Sequence, residues 1–180
     1  MSRSTDELRD DHRIIARVLE ELGRETELMR QSGKVDAVFL KDIVDFSGTF
    51  IDRCHHGKEE SCFFPCLERR GIGKESPILQ VMLEEHQAGR DLVRRLGAQL
   101  VLNEGGSDNV GAITQLCEEY RGLLEVHIQK ENGMLFPMGE ETMEGGDDEE
   151  NVNCFGSKKD DVGRGELDRL VKKAWGRSPA

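Results

Sequence analysis

The stretch HHGKEESCFFP, residues 55–65, and the stretch HIQKENGMLFP, residues 127–137, are two copies of one pattern. Set one above the other, His55 falls on His127, Lys58 on Lys130, Glu59 on Glu131, Phe64 on Phe136 and Pro65 on Pro137. Aligning on His56 instead loses the lysine, phenylalanine and proline matches. Each copy also has a histidine upstream, directly behind an acidic residue. His12 of DDHR precedes His55 by 43 residues, and His86 of EEHQ precedes His127 by 41. The chain therefore reads as an internal repeat of the form His … His-x-x-x-Glu, carried on two helix pairs.

The surrounding pattern is helical throughout. Leu8, His12, Ile15, Ala16, Leu19 and Leu22 recur at three-and-four spacing, the period of a helix with one buried face. Ser4 followed by Glu7 reads as a capping box that starts this helix near residue 5. A second periodic stretch runs from about 35 to 70 and is ended by Gly71 and Gly73. Ser76-Pro77 opens a third helix, with serine as N-cap and proline in the first turn. The fourth starts near Asp108 and passes through Ile113, Leu116, Tyr120 and Leu124 to Pro137. No strand pattern competes. The expected fold is all-α: an antiparallel up-and-down four-helix bundle over residues 1–138. Residues 139–165 hold the acidic, glycine-containing run GEETMEGGDDEEN and are expected to be a flexible linker. Residues 166–176, with Leu167, Leu170, Val171, Ala174 and Trp175, are expected to form a short amphipathic helix.

With 180 residues the chain is long enough to bury a real core. Its 25 basic residues against 36 acidic ones give a formal charge of −11. That balance, with no basic stripe, argues against nucleic acid and against an anionic membrane as partner. The N-terminal MSRSTDELRDDHR has no apolar run of the secretory kind, and no stretch is long and apolar enough to span a bilayer. The 5 cysteines show no regular framework, so reduced thiols and a cytoplasmic setting are expected.

Four of the 5 histidines, His12, His55, His86 and His127, sit one per helix on an apolar stripe. A buried imidazole needs a partner for each ring nitrogen, and a buried glutamate costs still more. Metal ions resolve the conflict. Six ligands, His12, His55, Glu59, His86, His127 and Glu131, exceed the four of a structural zinc site. Two metals, with both glutamates bridging and two histidines on each, use them all. Nitrogen and carboxylate donors with open positions point to iron, with manganese or zinc as substitutes. Ferritin-like di-iron bundles use Glu-x-x-His; here the order is His-x-x-x-Glu.

Neighbouring residues carry two readings each. On an ideal helix His56 and Glu60 rotate away from the core, as a solvated face, or they serve as spare ligands or supports in place of His55 and Glu59. Cys62 is a small core residue or a thiol close enough to iron for redox chemistry. Tyr120 is core or a hydrogen-bond partner of a metal ligand. Gly89 permits close helix packing or leaves room for a small molecule. Arg90 pairs with a carboxylate near the metals or is exposed, and Lys58 and Lys130 read most simply as surface residues.

Over residues 4–138, on DDHR, HHGKEESCFFP, EEHQAG and HIQKENGMLFP, the chain resembles the hemerythrin-like (HHE cation-binding) domain family. The resemblance implies a four-helix bundle with a non-haem di-iron centre, often oxo-bridged, held by His12, His55, Glu59, His86, His127 and Glu131. It implies O2, NO or peroxide as small ligands, and roles in oxygen or redox sensing, protection against oxidative or nitrosative stress, or repair of iron centres. Oxygen-carrying hemerythrins have a further histidine one turn after the third ligand, where this chain has Arg90. The chain is thus more similar to the four-histidine, two-glutamate branch that includes the repair proteins. Those often carry an N-terminal domain with a reactive cysteine, which this sequence does not show. A di-iron peroxidase or NO reductase is a second expectation, for which the redox partner is not visible in the sequence. Iron storage or delivery, or a zinc-stabilised structural bundle, is a third.

Overall fold

The computed structural model describes residues 2–106 and 108–175; the side chains of Arg164, Val171, Ala174 and Trp175 are outside that description. The described residues form helices and no strand. Helix α1 spans Arg3–Ser32, α2 residues 37–69, α3 Pro77–Glu104, α4 residues 110–142, α5 Asp147–Val162 and α6 Arg164–Trp175. Helix α1 packs against α4, α4 against α3, and α3 against α2, which makes the expected four-helix bundle.

Several boundaries differ from the periodicity. Helix α1 begins at Arg3 with Ser2 as its N-cap, ahead of the start that Ser4 and Glu7 suggest. Helices α2 and α4 are not uniform. In α2 the turns Ser47–His56 and Glu59–Phe63 are π-helical, and in α4 the turn Glu131–Leu135 is. The repeat explains two of these turns. Proline has no N–H, and its ring clashes with the carbonyl four residues back. Directly before Pro65 and Pro137 the backbone bonds to the fifth residue back: Phe64 N–H donates to the Glu59 carbonyl and Phe136 N–H to the Glu131 carbonyl. The wider turn relieves the clash, and it does so at the two glutamates of the repeat. Widened turns of this kind are common at functional sites.

The expected linker is a helix. Helix α5 runs through the acidic stretch and packs on α1 and on the π-helical part of α2. Its first turn holds Asp147, Asp148, Glu149 and Glu150, where negative charge is stabilised by the exposed N–H groups of a helix start. The charge run that reads as disorder is also a helix N-terminus, and Phe155, fully buried, anchors it. Helix α6 packs on α1 and α5, with Leu167 and Leu170 buried in the core. The expectations for Val171, Ala174 and Trp175 rest on side chains outside the described residues, as does residue 176.

Not all cysteines are free. Cys62 on α2 and Cys154 on α5 form a disulfide, while Cys54, Cys66 and Cys117 are buried thiols. This corrects the expectation of five reduced thiols: the pairing spans 92 residues and needs α5 folded onto α2, which no spacing rule encodes. No helix among the described residues is long and apolar enough to cross a membrane.

Two apolar clusters divide the interior. One holds Ile15, Leu19, Phe46, Ile51, Leu96, Leu116 and Leu124; the other holds Leu8, Phe63, Phe64, Met82, Leu135, Phe136 and Phe155. The buried histidines lie along the helices between them.

Candidate metal centre

His12, His55, His86 and His127 are all buried and converge from α1, α2, α3 and α4. Their Nδ1 atoms face outward to protein acceptors. His12 Nδ1 lies 3.0 Å from Asn132 Oδ1, and His55 Nδ1 3.3 Å from Asp11 Oδ2. His86 Nδ1 lies 2.7 Å from Glu60 Oε1, and His127 Nδ1 2.9 Å from Glu85 Oε2. An acceptor at Nδ1 fixes the tautomer with the proton there and leaves Nε2 as a lone pair.

The four Nε2 atoms turn inward as two pairs, His12 with His55 at 3.1 Å and His86 with His127 at 3.2 Å. Facing lone pairs at that distance repel. Two nitrogens bound at about 2.1 Å to one ion and at right angles stand about 3 Å apart. Between the pairs lie Glu59 and Glu131, both fully buried. Glu131 Oε2 is 3.0 Å from His12 Nε2 and its Oε1 3.2 Å from His127 Nε2. Glu59 Oε2 is 3.7 Å from His55 Nε2 and 3.5 Å from His86 Nε2. Each glutamate thus reaches one histidine of either pair, yet none of the four carboxylate oxygens has an aligned hydrogen bond.

The electrostatics have the same origin. Burial, with Glu131 opposite, pushes the Glu59 carboxyl well above the usual carboxylate range. Burial would do the same to Glu131, but His127 and His12 outweigh it and hold that carboxyl well below the range. Burial brings His55 down to about 4, so this imidazole stays neutral. Burial would lower His127 as well, but Glu131 and Glu85 outweigh it and raise that imidazole. Two fully buried carboxylates with no aligned donor are the kind of site that cations satisfy. The outer bases do not supply the missing positive charge, since each is already matched with an acid. Asp11 accepts from Lys58 Nζ at 2.7 Å, Glu60 from Arg90 Nη2 at 2.7 Å, and Glu85 from Lys130.

The repeat extends to these supports. Asp11 and Glu85, the acidic residues ahead of His12 and His86, hold His55 and His127. Lys58 and Lys130 hold those acids in turn. Phe136 stacks on His12 and Phe64 on His86, with ring centroids 5.3 and 6.0 Å apart. The sequence carried this signal in its matched lysines and phenylalanines. The expectation that Lys58 is a surface residue fails because α5 covers it: the side chain is fully buried, with Glu7 Oε1 at 3.0 Å as a second countercharge.

The larger correction concerns His56. It is buried, not on a solvated face. The helix carrying it is π-helical up to His56, so the angle between neighbours is smaller than in an α-helix, and His55 and His56 both turn inward. His56 stacks on His86 with ring centroids 3.7 Å apart. Glu60, half-buried, supports His86 and is held down to about 2, since the His86 and Arg90 hydrogen bonds outweigh burial. Arg90 spans Glu60 and Asp52, 2.7 Å from each. Cys62 is taken up in the disulfide with Cys154. Tyr120 is buried in the wall of a pocket of about 190 Å³, which Ile51, His56, Gly89 and Leu124 also line. Two donor sets form: His12, His55, Glu59 and Glu131, and His56, Glu59, His86 and His127, each with donor atoms within 4.8 Å of one another.

Fold and site together define a metal-binding four-helix bundle. The hemerythrin HHE cation binding domain matches residues 3–139, and the chain belongs to that family. No curated protein and no solved structure matches the chain.

Proposed function

We propose that this chain is a non-haem di-iron protein that binds a small uncharged ligand, dioxygen or nitric oxide, in oxygen or redox sensing or in protection against nitrosative or oxidative stress. The observation that carries this reading is the inward set of four Nε2 lone pairs around four unmatched carboxylate oxygens. It has the donors for two ions, with both glutamates shared. Two iron ions would supply reversible electron transfer to a ligand bound at an open position. The chain's own part is to fix the donors, hold each Nδ1 proton on an acceptor, and keep bulk water out with the two apolar clusters.

The pocket beside His56 supports a gas as ligand. Ile51, Gly89, Val93, Tyr120 and Leu124 give it mostly apolar walls, a better path for a neutral diatomic than for a hydrated ion. That favours ligand binding over iron storage or delivery.

Metal content per chain, by elemental analysis after expression in iron-sufficient cells, tests the reading on wild type and His127→Ala. Two irons in wild type, largely lost in the variant, are expected, with an absorption change when the reduced protein meets oxygen or nitric oxide. Iron absent, or one zinc that survives the substitution, overturns the di-iron reading.

A further inference from the structure

The repeat is broken at one position inside the site. His56 in the first copy stands where the second copy has Ile128. Ile128 packs against the apolar core, so the fold accepts an aliphatic side chain at this register. The first copy places an imidazole there and buries it. Neither of its ring nitrogens has a hydrogen-bond partner. A buried polar group left in that state is destabilising, and two nitrogens on one ring make a packing role a poor account. Two further observations point inward. A ring nitrogen of His56 shares with Glu59, His86 and His127 the 4.8 Å spacing of a common donor set. Its Nδ1 lies 3.7 Å from Asp52 Oδ1, which Arg90 holds at 2.7 Å. That is the arrangement behind His55 and His86, an acid matched with a base and aimed at the ring from outside, here one step looser.

We infer that His56 is a fifth nitrogen ligand, on the metal held by His86 and His127, so that the two ions of the centre are inequivalent. The inference rests on the di-iron reading above. One ion takes His12 and His55; the other takes His56, His86 and His127; Glu59 and Glu131 are shared. The better-filled ion is the one nearer the pocket. His56 lines the pocket and belongs to the donor set, so a ligand entering through the pocket would meet this ring first. Binding His56 costs the chain a closure of its Nδ1 onto Asp52, for which the existing gap is small.

His56→Ile restores the symmetry of the repeat and is the direct test, with His56→Gln as a second variant that keeps a polar side chain; circular dichroism and thermal melting of the metal-free proteins establish that each is folded. Ferrous iron enriched in the Mössbauer isotope is added without oxygen to wild type and variants. Wild type is expected to give two resolved quadrupole doublets of equal area, which converge in both variants. One of the two iron-binding constants is expected to fall at least tenfold, by chelator competition. In cobalt-loaded protein, proton spectra are expected to lose one exchangeable, strongly shifted ring N–H of 5. Two unchanged doublets, with both constants within about threefold and only four shifted ring protons in wild type, would leave the di-iron centre intact and remove His56 from it. Wild type that binds fewer than two ions overturns the di-iron reading and the inference with it.

Discussion

At the scale of single residues, the centre depends on how its histidines are held. Every inward Nε2 is backed by an acceptor at Nδ1, and three of the four acceptors are carboxylates neutralised by lysine or arginine. A carboxylate behind an imidazole raises its basicity toward a metal, and losing such a support lowers affinity about 10–100-fold. Glu85→Gln is expected to weaken metal binding about tenfold in a chelator titration, with the fold intact, because Glu85 is near the surface. Asp11→Asn is expected to do the same at His55 and also to destabilise the metal-free protein, since fully buried Lys58 loses its 2.7 Å countercharge and retains only Glu7. A urea titration showing Asp11→Asn as stable as Glu85→Gln would mean that Lys58 does not depend on Asp11.

At the scale of elements, helices α2 and α4 meet tightly just past the end of the second repeat. A Cβ added at Gly139 would lie 2.6 Å from Phe63 Cζ and 3.3 Å from Leu67 Cδ2. Alanine is the better helix former by about 1 kcal/mol, but overpacking a core costs about 1–3 kcal/mol. Phe63 has little room to yield, being fully buried with Phe136 edge-on at 5.7 Å. Gly139→Ala is therefore expected to lower stability by about 1 kcal/mol, and Phe63→Leu in the same chain to recover part of the loss. Urea unfolding of the two single variants and the double variant measures this; equal or higher stability of Gly139→Ala would show that the ring moves aside freely.

Over the whole molecule, the C-terminal segment belongs to the folded body. Helix α5 covers Lys58, is tied to α2 by Cys62–Cys154, and caps the start of α1. Asp148 accepts from the Ser4 N–H at 2.9 Å, the Arg3 N–H at 3.1 Å and the Ser2 hydroxyl at 2.6 Å. Burial tends to raise its pKa, but these hydrogen bonds outweigh it and hold the carboxyl below the usual range. A carboxyl with a lowered folded pKa stabilises fully above its unfolded value and loses that contribution as pH falls through the folded one. Asp148→Ala is thus expected to cost about 1–2 kcal/mol near neutral pH, as for a lost N-cap. The gap to wild type should narrow as pH falls below about 4, because wild type then loses the same contribution. Urea titrations across that range check it; a gap independent of pH would remove the carboxylate charge from the account.

What the sequence determined by itself was whatever is written in its period and its repeat. Helical spacing set four helices, and the repeat paired His55 with His127 and Glu59 with Glu131, because a buried imidazole or carboxylate on an apolar stripe has few physical explanations. The tertiary structure decided the remainder. His56 faces inward because π-helical turns change the angle between neighbours, which an ideal-helix reading holds fixed. Lys58 is buried because α5 folds over it, and α5 itself reads as a charged linker until its one buried phenylalanine finds the second apolar cluster. Cys62 meets Cys154 for the same reason. Local sequence encodes turns and faces; which face a distant helix will cover depends on packing across the whole chain.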